Sequence, residues 1–343
     1  MLSERERTLL RPPVKRAAYS DRTAWLMAVF SELAYEPFEP VDSQLQALAE
    51  EIAESSDAAR IADLLERRMP DLGVEDSERE AAFQKKLDSL GFQLEQVISR
   101  AHIHAYLAVR EEDEMAVLAF RGTEADYRDI LTDLDARFYR KADGSRRHNG
   151  FHQAYQLVRD PVRAACKDLA ERDLQLYVTG HSLGGALALL ATRDLAADHV
   201  AACYSFGAPK VGNEDFGHAI KTPVYRVVNA ADVVPRVPPR KTIEILYRLA
   251  GFLRIGWLAR ILGQLRGYMH WGDMRYLTRT RRGDHSDVRV IPNPSGLQQW
   301  LRAIRRTLDE WNAFVTDHAI ARYREKLAAY AEWRNRDSAL GRD

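Results

Sequence analysis

Apolar and polar positions change period several times along this chain of 343 residues. Residues 21–35, DRTAWLMAVFSELAY, place Trp25, Val29 and Leu33 four apart, the spacing of one helical face. Residues 42–90 are dense in Ala, Leu and charge and predict two or three helices, interrupted where DLGVEDSEREAAF brings Gly73 and an acidic run. From about residue 101 the signal turns to strands: IHAYLAVR and MAVLAFR, separated by EEDE, predict a hairpin. A helix is expected over about 151–171, after Gly150. LQLYVTG, VAACYSFGAP and VYRVVNAADVV read as short buried strands, and MRYLTRT with DVRVIPN as a later strand pair. SLGGALALLATRDLAAD is apolar over most of its surface, which predicts a helix enclosed in a core. Two helices close the chain. Trp300, Ile304, Leu308, Trp311 and Val315 share a face of the first, and Ile320, Tyr323, Leu327 and Tyr330 a face of the second.

Strand–helix–strand alternation predicts an α/β fold with a mainly parallel central sheet flanked by helices. No internal repeat or low-complexity tract interrupts it. Composition, 46% hydrophobic and 29% charged, is that of a soluble globular protein. Formal net charge is zero, so no global field favours nucleic acid, and no such partner is expected. Cys166 and Cys203 both lie in apolar settings and read as buried thiols. Neither CxxC nor HExxH spacing occurs, so no metal site is expected. The opening MLSERERTLLRPPVKR has no apolar signal core, and no uncharged stretch reaches the roughly 18 residues of a spanning helix. A cytoplasmic or peripheral-membrane location is therefore expected.

Candidate chemistry begins at YVTGHSLGG. Gly180-His181-Ser182-Leu183-Gly184 fits the GxSxG elbow, in which a strand turns sharply into a helix and presents a serine at the sheet's carboxyl edge. Side chains two residues either side of the serine would collide across so tight a turn, so glycine suits both. The helix N-terminus aims backbone N–H groups at the reacting oxygen. His181, beside the serine, reads as a packing residue. A serine nucleophile needs a base, and the base a carboxylate, in the chain order Ser, acid, His for an α/β-hydrolase. Asp232, after the strand in VYRVVNAADVVPRVPP, is the candidate acid. His270, His285 and His318 all follow it and compete as the base. Asp317, adjacent to His318, reads as a cap of the last helix.

Eight stretches together resemble the class 3 lipase family, which includes the fungal triacylglycerol lipases. In order they are DRTAWLMAVFSELAY, VLAFRGTEADYRDILTDLD, RRHNGFHQAY, YVTGHSLGGALALLA, SFGAPKVGN, VYRVVNAADVVPRVPP, YMHWGDMRYL and DHAIARY, over roughly residues 21–323. The resemblance implies Ser182 as nucleophile, Asp232 as acid and His318 as base, with Tyr323 fitting the pattern and His270 structural. It implies an oxyanion hole from Thr123 and the backbone N–H of Leu183. It implies an α/β-hydrolase fold and a serine ester hydrolase acting on lipid or other small acyl esters, with no cofactor. A hydrolase-fold scaffold that only binds lipids or partners, and an acyltransferase using the same triad, are the alternatives.

Two stretches depart from the compact fungal pattern: the long helical region at about 42–95, and an insertion at about 241–268. The insertion has no acidic residue between Glu244 and Asp273, while Arg248, Arg254, Arg260 and Arg266 recur every six residues. It reads either as a packed excursion or as a lid or lipid-surface element at 243–267. The segment 124–131, where the family carries its lid, is short and charged. The expected organisation is a charged arm at 1–20, one α/β-hydrolase domain at 21–336 and a tail at 337–343.

Overall fold

Period-two alternation in strand β3 (Met115–Phe120) divides the interior into two halves. Ala116, Leu118 and Phe120 join one buried cluster, while Met115, Val117 and Ala119 join another. A computed structural model of the chain describes residues 2–12, 18–38, 76–122, 138–140, 144–195, 200–236, 240–265, 267–280, 284–302 apart from 297 and 300, and 313–339, together with 41, 45, 48, 49, 52, 61 and 65. The sheet has eight strands in the order β1–β2–β3–β6–β7–β8–β9–β10. Its members are β1 (Gln93–Arg100), β2 (Ile103–Arg110), β3, β6 (Gln175–His181), β7 (Val200–Phe206), β8 (Val224–Asn229), β9 (Asp273–Leu277) and β10 (Val290–Pro292). Pairing from β3 through β9 is parallel, whereas β1, β2 and β3 form an antiparallel meander and β9–β10 an antiparallel pair. Strands β4 (Phe138–Arg140) and β5 (Arg146–His148) form a separate antiparallel hairpin. This is the expected α/β-hydrolase fold, with a mixed sheet that is mostly parallel.

Helices α3 (Asn149–Ala165) and α4 (Leu183–Leu195) cover the first cluster. On α3, Phe151, Tyr155, Val158 and Val162 form one apolar stripe turned to the sheet. Every residue of α4 from 183 to 192 is buried, as its uniformly apolar sequence requires. Helices α1 (Asp21–Leu33) and α7 (Ile320–Ala339) pack against each other over the second cluster, joined by Phe83 and Leu87 of α2 (Asp76–Asp88). Because α1 lies between sheet and α7, all of 23–31 is buried, whereas Leu33 of the expected stripe is only half-buried. Tyr323 and Leu327 of α7 are fully enclosed, as the final helical pattern implies. Cys166 and Cys203 are free buried thiols, each pushed up to about 12 by burial.

Sequence and structure part company in places. The region at 42–95, expected to be helical, runs into β1 from Gln93. QLEQVISR is an edge strand whose Gln93, Glu95, Gln96 and Arg100 stay exposed, so it lacks the apolar density of its neighbours. Gly73, the segment 124–131, and Trp300, Ile304, Leu308 and Trp311 lie outside the described residues, as does the side chain of Val315. The insertion folds as α5 (Arg240–Phe252) and α6 (Gly256–Leu265). Between them Arg254 takes the left-handed conformation (φ 56°), and the Ile255 N–H closes onto the Ala250 carbonyl. Only the inner face of this pair is packed: Ile243, Ala250 and Leu262 are buried, while Ile245, Leu246, Leu249, Phe252, Leu253 and Trp257 are 43–84% exposed.

The sheet meets α4 with no spare room. A Cβ on Gly184 would stand 2.3 Å from the Phe120 carbonyl oxygen, which is backbone and cannot swing aside. Gly184→Ala is expected to destabilise the fold by roughly 2–3 kcal/mol as an overpacking change. Differential scanning fluorimetry should show a midpoint lowered by several degrees, and an unchanged midpoint would contradict the tight approach.

Candidate active site

The turn from β6 into α4 places Ser182 at φ 55°, a left-handed conformation unusual for a residue with a side chain. It is held there by backbone bonds: its N–H donates to the Phe206 carbonyl (2.9 Å), and its carbonyl accepts from Gly185 and Ala186 (3.0 and 3.3 Å). Gly180 permits this, since a Cβ there would lie 2.3 Å from the Gly184 backbone. The elbow read from sequence is thus present in backbone geometry, with Ser182 between the last residue of β6 and the first of α4.

Three side chains distant in sequence meet at this edge. His318 Nε2 is 3.1 Å from Ser182 Oγ. His318 Nδ1 is 3.1 and 3.0 Å from the two carboxyl oxygens of Asp232. The carboxylate only accepts, so the neutral ring carries its proton on Nδ1 and leaves Nε2 to accept from the serine hydroxyl. That arrangement suits proton removal from Ser182, with the resulting imidazolium stabilised by the carboxylate.

Asp232 is fully buried and well supplied with donors. Its Oδ1 accepts the Val234 N–H (3.0 Å), and its Oδ2 accepts the Tyr323 hydroxyl in a short hydrogen bond. Tyr323 Oη in turn accepts the Asn229 N–H at 3.1 Å, tying α7 to the end of β8. Gly207 (φ 57°) passes beneath the pair, where a Cβ would come within 2.8 Å of Asp232 Oδ2 and 3.1 Å of the His318 ring. Glycine meets both demands there, the backbone conformation and the close approach.

The competing histidines are engaged elsewhere. His270 Nε2 donates to the Pro235 carbonyl, and His285 bridges Thr280 Oγ1 (2.7 Å) and Glu325 (3.2 Å). Asp317, read as a helix cap, instead turns its carboxylate to the Ala231 N–H (3.0 Å) and so braces the loop carrying Asp232. His181, read as mere packing, makes two polar contacts, with Tyr35 Oη (2.8 Å) and the His318 carbonyl (2.7 Å). Sequence period could have flagged it, because Tyr177, Thr179 and His181 alternate onto the α1 face, where Thr179 also bonds Ser31. Leu183 sits at the N-terminus of α4, where the first N–H groups have no intrahelical acceptor. Thr123 lies outside the described residues; Gly122, just before it, runs so close to the elbow that a Cβ would be 2.7 Å from the His181 carbonyl.

Residues 117–242 match the family model described as Lipase (class 3). A lipase of Rhizopus niveus is 34% identical over 150 residues, covering 40% of this chain and 38% of that protein. A secreted mono- and diacylglycerol lipase of Malassezia globosa is 36% identical over 144 residues, covering 36% of this chain and 47% of that protein. The chain thus spans less than half the length of these relatives. The crystal structure of the lipase from Rhizopus microsporus var. chinensis shares the fold, with a TM-score of 0.50 at 20% identity, over 91% of each chain. The expected cytoplasmic or peripheral-membrane location is corrected by the relatives: those from Malassezia globosa, Malassezia restricta and Fusarium solani are named as secreted, which points outside the cell. A charged N-terminal stretch is a weaker indicator of compartment than such kinship. Among the described residues no helix is long and apolar enough to cross a membrane.

Two histidines in and behind the site give stability a pH dependence. Burial holds both His181 and His270 well below the ordinary value of 6.5, helped for His181 by the His318 ring and for His270 by the Arg226 and Lys210 cations. Below pH 6.5 the unfolded chain takes up protons that the folded rings refuse, so stability falls as pH drops through and below that value. His270→Gln keeps a donor for Pro235 and removes one titration. Urea unfolding from about pH 7 to 5 should show a slope shallower by up to ~1.4 kcal/mol per pH unit than wild type. An identical slope would mean that the folded ring of His270 titrates like a free one.

Proposed function

We propose, from the match of residues 117–242 to the class 3 lipase model, that the chain is a serine ester hydrolase acting on acyl esters of lipids. The observation carrying this reading is the unbroken line of contacts Ser182–His318–Asp232, at 3.1 and 3.0 Å, behind a strained elbow. Ser182 Oγ attacks the ester carbonyl while its proton passes to His318 Nε2. The tetrahedral intermediate collapses as His318 returns the proton to the departing alkoxide, leaving an acyl-enzyme and an alcohol. Water, deprotonated by the same imidazole, attacks the acyl carbon and releases a carboxylic acid and free Ser182. Asp232 orients the ring and stabilises its charged form. The backbone N–H of Leu183 and Thr123 are the proposed oxyanion donors; loss of one such donor typically raises the barrier by about 3 kcal/mol.

The proposed unit for this activity is one domain over 21–336, with 1–20 as an arm and 337–343 as a tail. Within it, 243–267 is proposed as the element that meets the lipid surface. Just after the insertion, His270 bonds the Pro235 carbonyl in the loop carrying Asp232, and that loop is itself braced by Arg236, which donates to the Asp232 and Ala230 carbonyls. Its outer face combines Phe252 (84% exposed) and Trp257 (68% exposed) with Arg248, Arg254 and Arg260. Apolar bulk beside cations suits an interface of ester lipid and anionic headgroup or fatty acid.

Ser182→Ala is expected to abolish both hydrolysis of nitrophenyl esters and labelling by a fluorophosphonate probe. Labelling that persists undiminished in the mutant rules out the proposed nucleophile. Phe252→Asp combined with Trp257→Asp should reduce co-sedimentation with vesicles containing anionic lipid at least tenfold. Turnover of a short soluble ester should stay within about twofold, since neither residue belongs to the proposed triad. Unchanged vesicle binding would remove this face from the reading.

A further inference from the structure

The elbow carries a second polar group that the triad does not use. His181 ends β6 with only 5% of its surface exposed. Its Nε2 lies 2.7 Å from the carbonyl oxygen of His318, and its Nδ1 lies 2.8 Å from the Tyr35 hydroxyl. A carbonyl can only accept, so Nε2 carries the proton; in the neutral ring Nδ1 is then left to accept from Tyr35. Tyr35 is itself anchored. The Arg121 guanidinium donates to the carbonyls of Ala34 and Glu36 on either side of it and stacks on Phe38 at 4.8 Å. Gly122 lies so close that a Cβ there would stand 2.2 Å from the Tyr35 hydroxyl.

The link carrying His318 needs such a hold. The Asp232 carboxylate fixes the ring through Nδ1, which constrains its rotation more than the position of the peptide. Two successive carbonyls of the link are held by side chains on different strands: that of Asp317 by Asn229 Nδ2 on β8 (2.9 Å), and that of His318 by His181 on β6. The second hold comes from the residue adjacent to the proposed nucleophile, so the Ser182-to-His318 distance is referred to one short stretch of backbone. We propose that Tyr35 and His181 form a positioning pair that holds the peptide of His318 at the height where its Nε2 meets Ser182 Oγ. The pair also matters when the base is charged. The His181 ring is 4.5 Å from that of His318, so it must stay neutral for an imidazolium to form beside it. Among the described residues, the groups facing it are Tyr35 from the turn after α1, His318 itself, and Tyr323 from α7 with its ring 6.0 Å away; none of these is an anion that would favour a protonated His181.

The kinetic part of the test rests on the esterase reading, and the spectroscopic part does not. His181→Phe keeps a ring and loses the donor; His181→Gln restores an N–H near the Nε2 position; Tyr35→Phe removes the group that fixes the tautomer. With a soluble nitrophenyl ester, His181→Phe should lower kcat at least tenfold with KM within twofold, and His181→Gln should recover most of that loss. Tyr35→Phe should lower kcat about threefold. In wild type labelled with 15N-histidine, ring nitrogen shifts should report the Nε2–H tautomer for His181, and Tyr35→Phe should mix in the other tautomer. Wild-type kcat in a folded His181→Phe, or an Nδ1–H tautomer in wild type, would overturn the pair. Wild type without hydrolysis or probe labelling would defeat the esterase reading instead, and the ring shifts would still decide the tautomer. Should His181→Phe not fold, Tyr35→Phe and the wild-type shifts decide the question.

Discussion

A carboxyl group with no solvent exposure sets the terms for the rest of the site. Asp232 must find its hydrogen-bond donors inside the protein, since a buried carboxylate without them costs several kcal/mol. The donors come from three places in the chain: Val234 in its own turn, His318 in the link before α7, and Tyr323 one turn into α7. Satisfying the acid therefore docks the C-terminal helix onto the end of β8. The docking also buries Tyr323 and Leu327 against the α1 side of the sheet. Lys326 extends the same logic, its ammonium bonding Asn229 Oδ1 (2.7 Å) and the Thr278 carbonyl (2.9 Å). Fold stability and site geometry are thus two results of one set of contacts.

The other half of the site depends on the absence of side chains. Gly180, Gly184 and Gly207 each stand where a Cβ would meet backbone or the His318–Asp232 pair. These close approaches let β3, β6 and β7 converge on the elbow, so that the chain leaving β3 passes the chain entering α4. Strain at Ser182 is sustained because its N–H and carbonyl are both engaged in the surrounding ladder and helix. The backbone that carries the proposed nucleophile is therefore fixed by the fold itself, as electrostatic preorganisation of the proposed site requires.

Legibility from sequence followed the physics of each feature. Strands β3, β6, β7 and β8 were readable because burial on both faces demands continuous apolar runs, and α4 because it is enclosed on every side. Strand β1 was not, since an edge strand need satisfy only one face. Ser182 and Asp232 were readable from local turn chemistry and chain order, whereas the choice among His270, His285 and His318 needed family resemblance. No local signal says which of three histidines a sheet edge will gather. His181 was misread as packing because its partners, Tyr35 and the His318 carbonyl, lie 146 and 137 residues away. Asp317 differs from its expected role for the same reason: sequence offers the N–H groups of the nearby helix start as its obvious donors, and only the fold brings the Ala231 N–H beside it.

Burial at the site also bears on how a lipid would reach it under the proposed function. Ser182 is 2% exposed and the His318 side chain 13%. An acyl chain leaving a lipid aggregate loses apolar contact at about 0.8 kcal/mol per methylene unless protein surface replaces it on the way. In the proposed reading the outer face of α5 and α6 supplies that surface, close in sequence to the acid's loop, to which the flanking His270 is hydrogen-bonded at the Pro235 carbonyl.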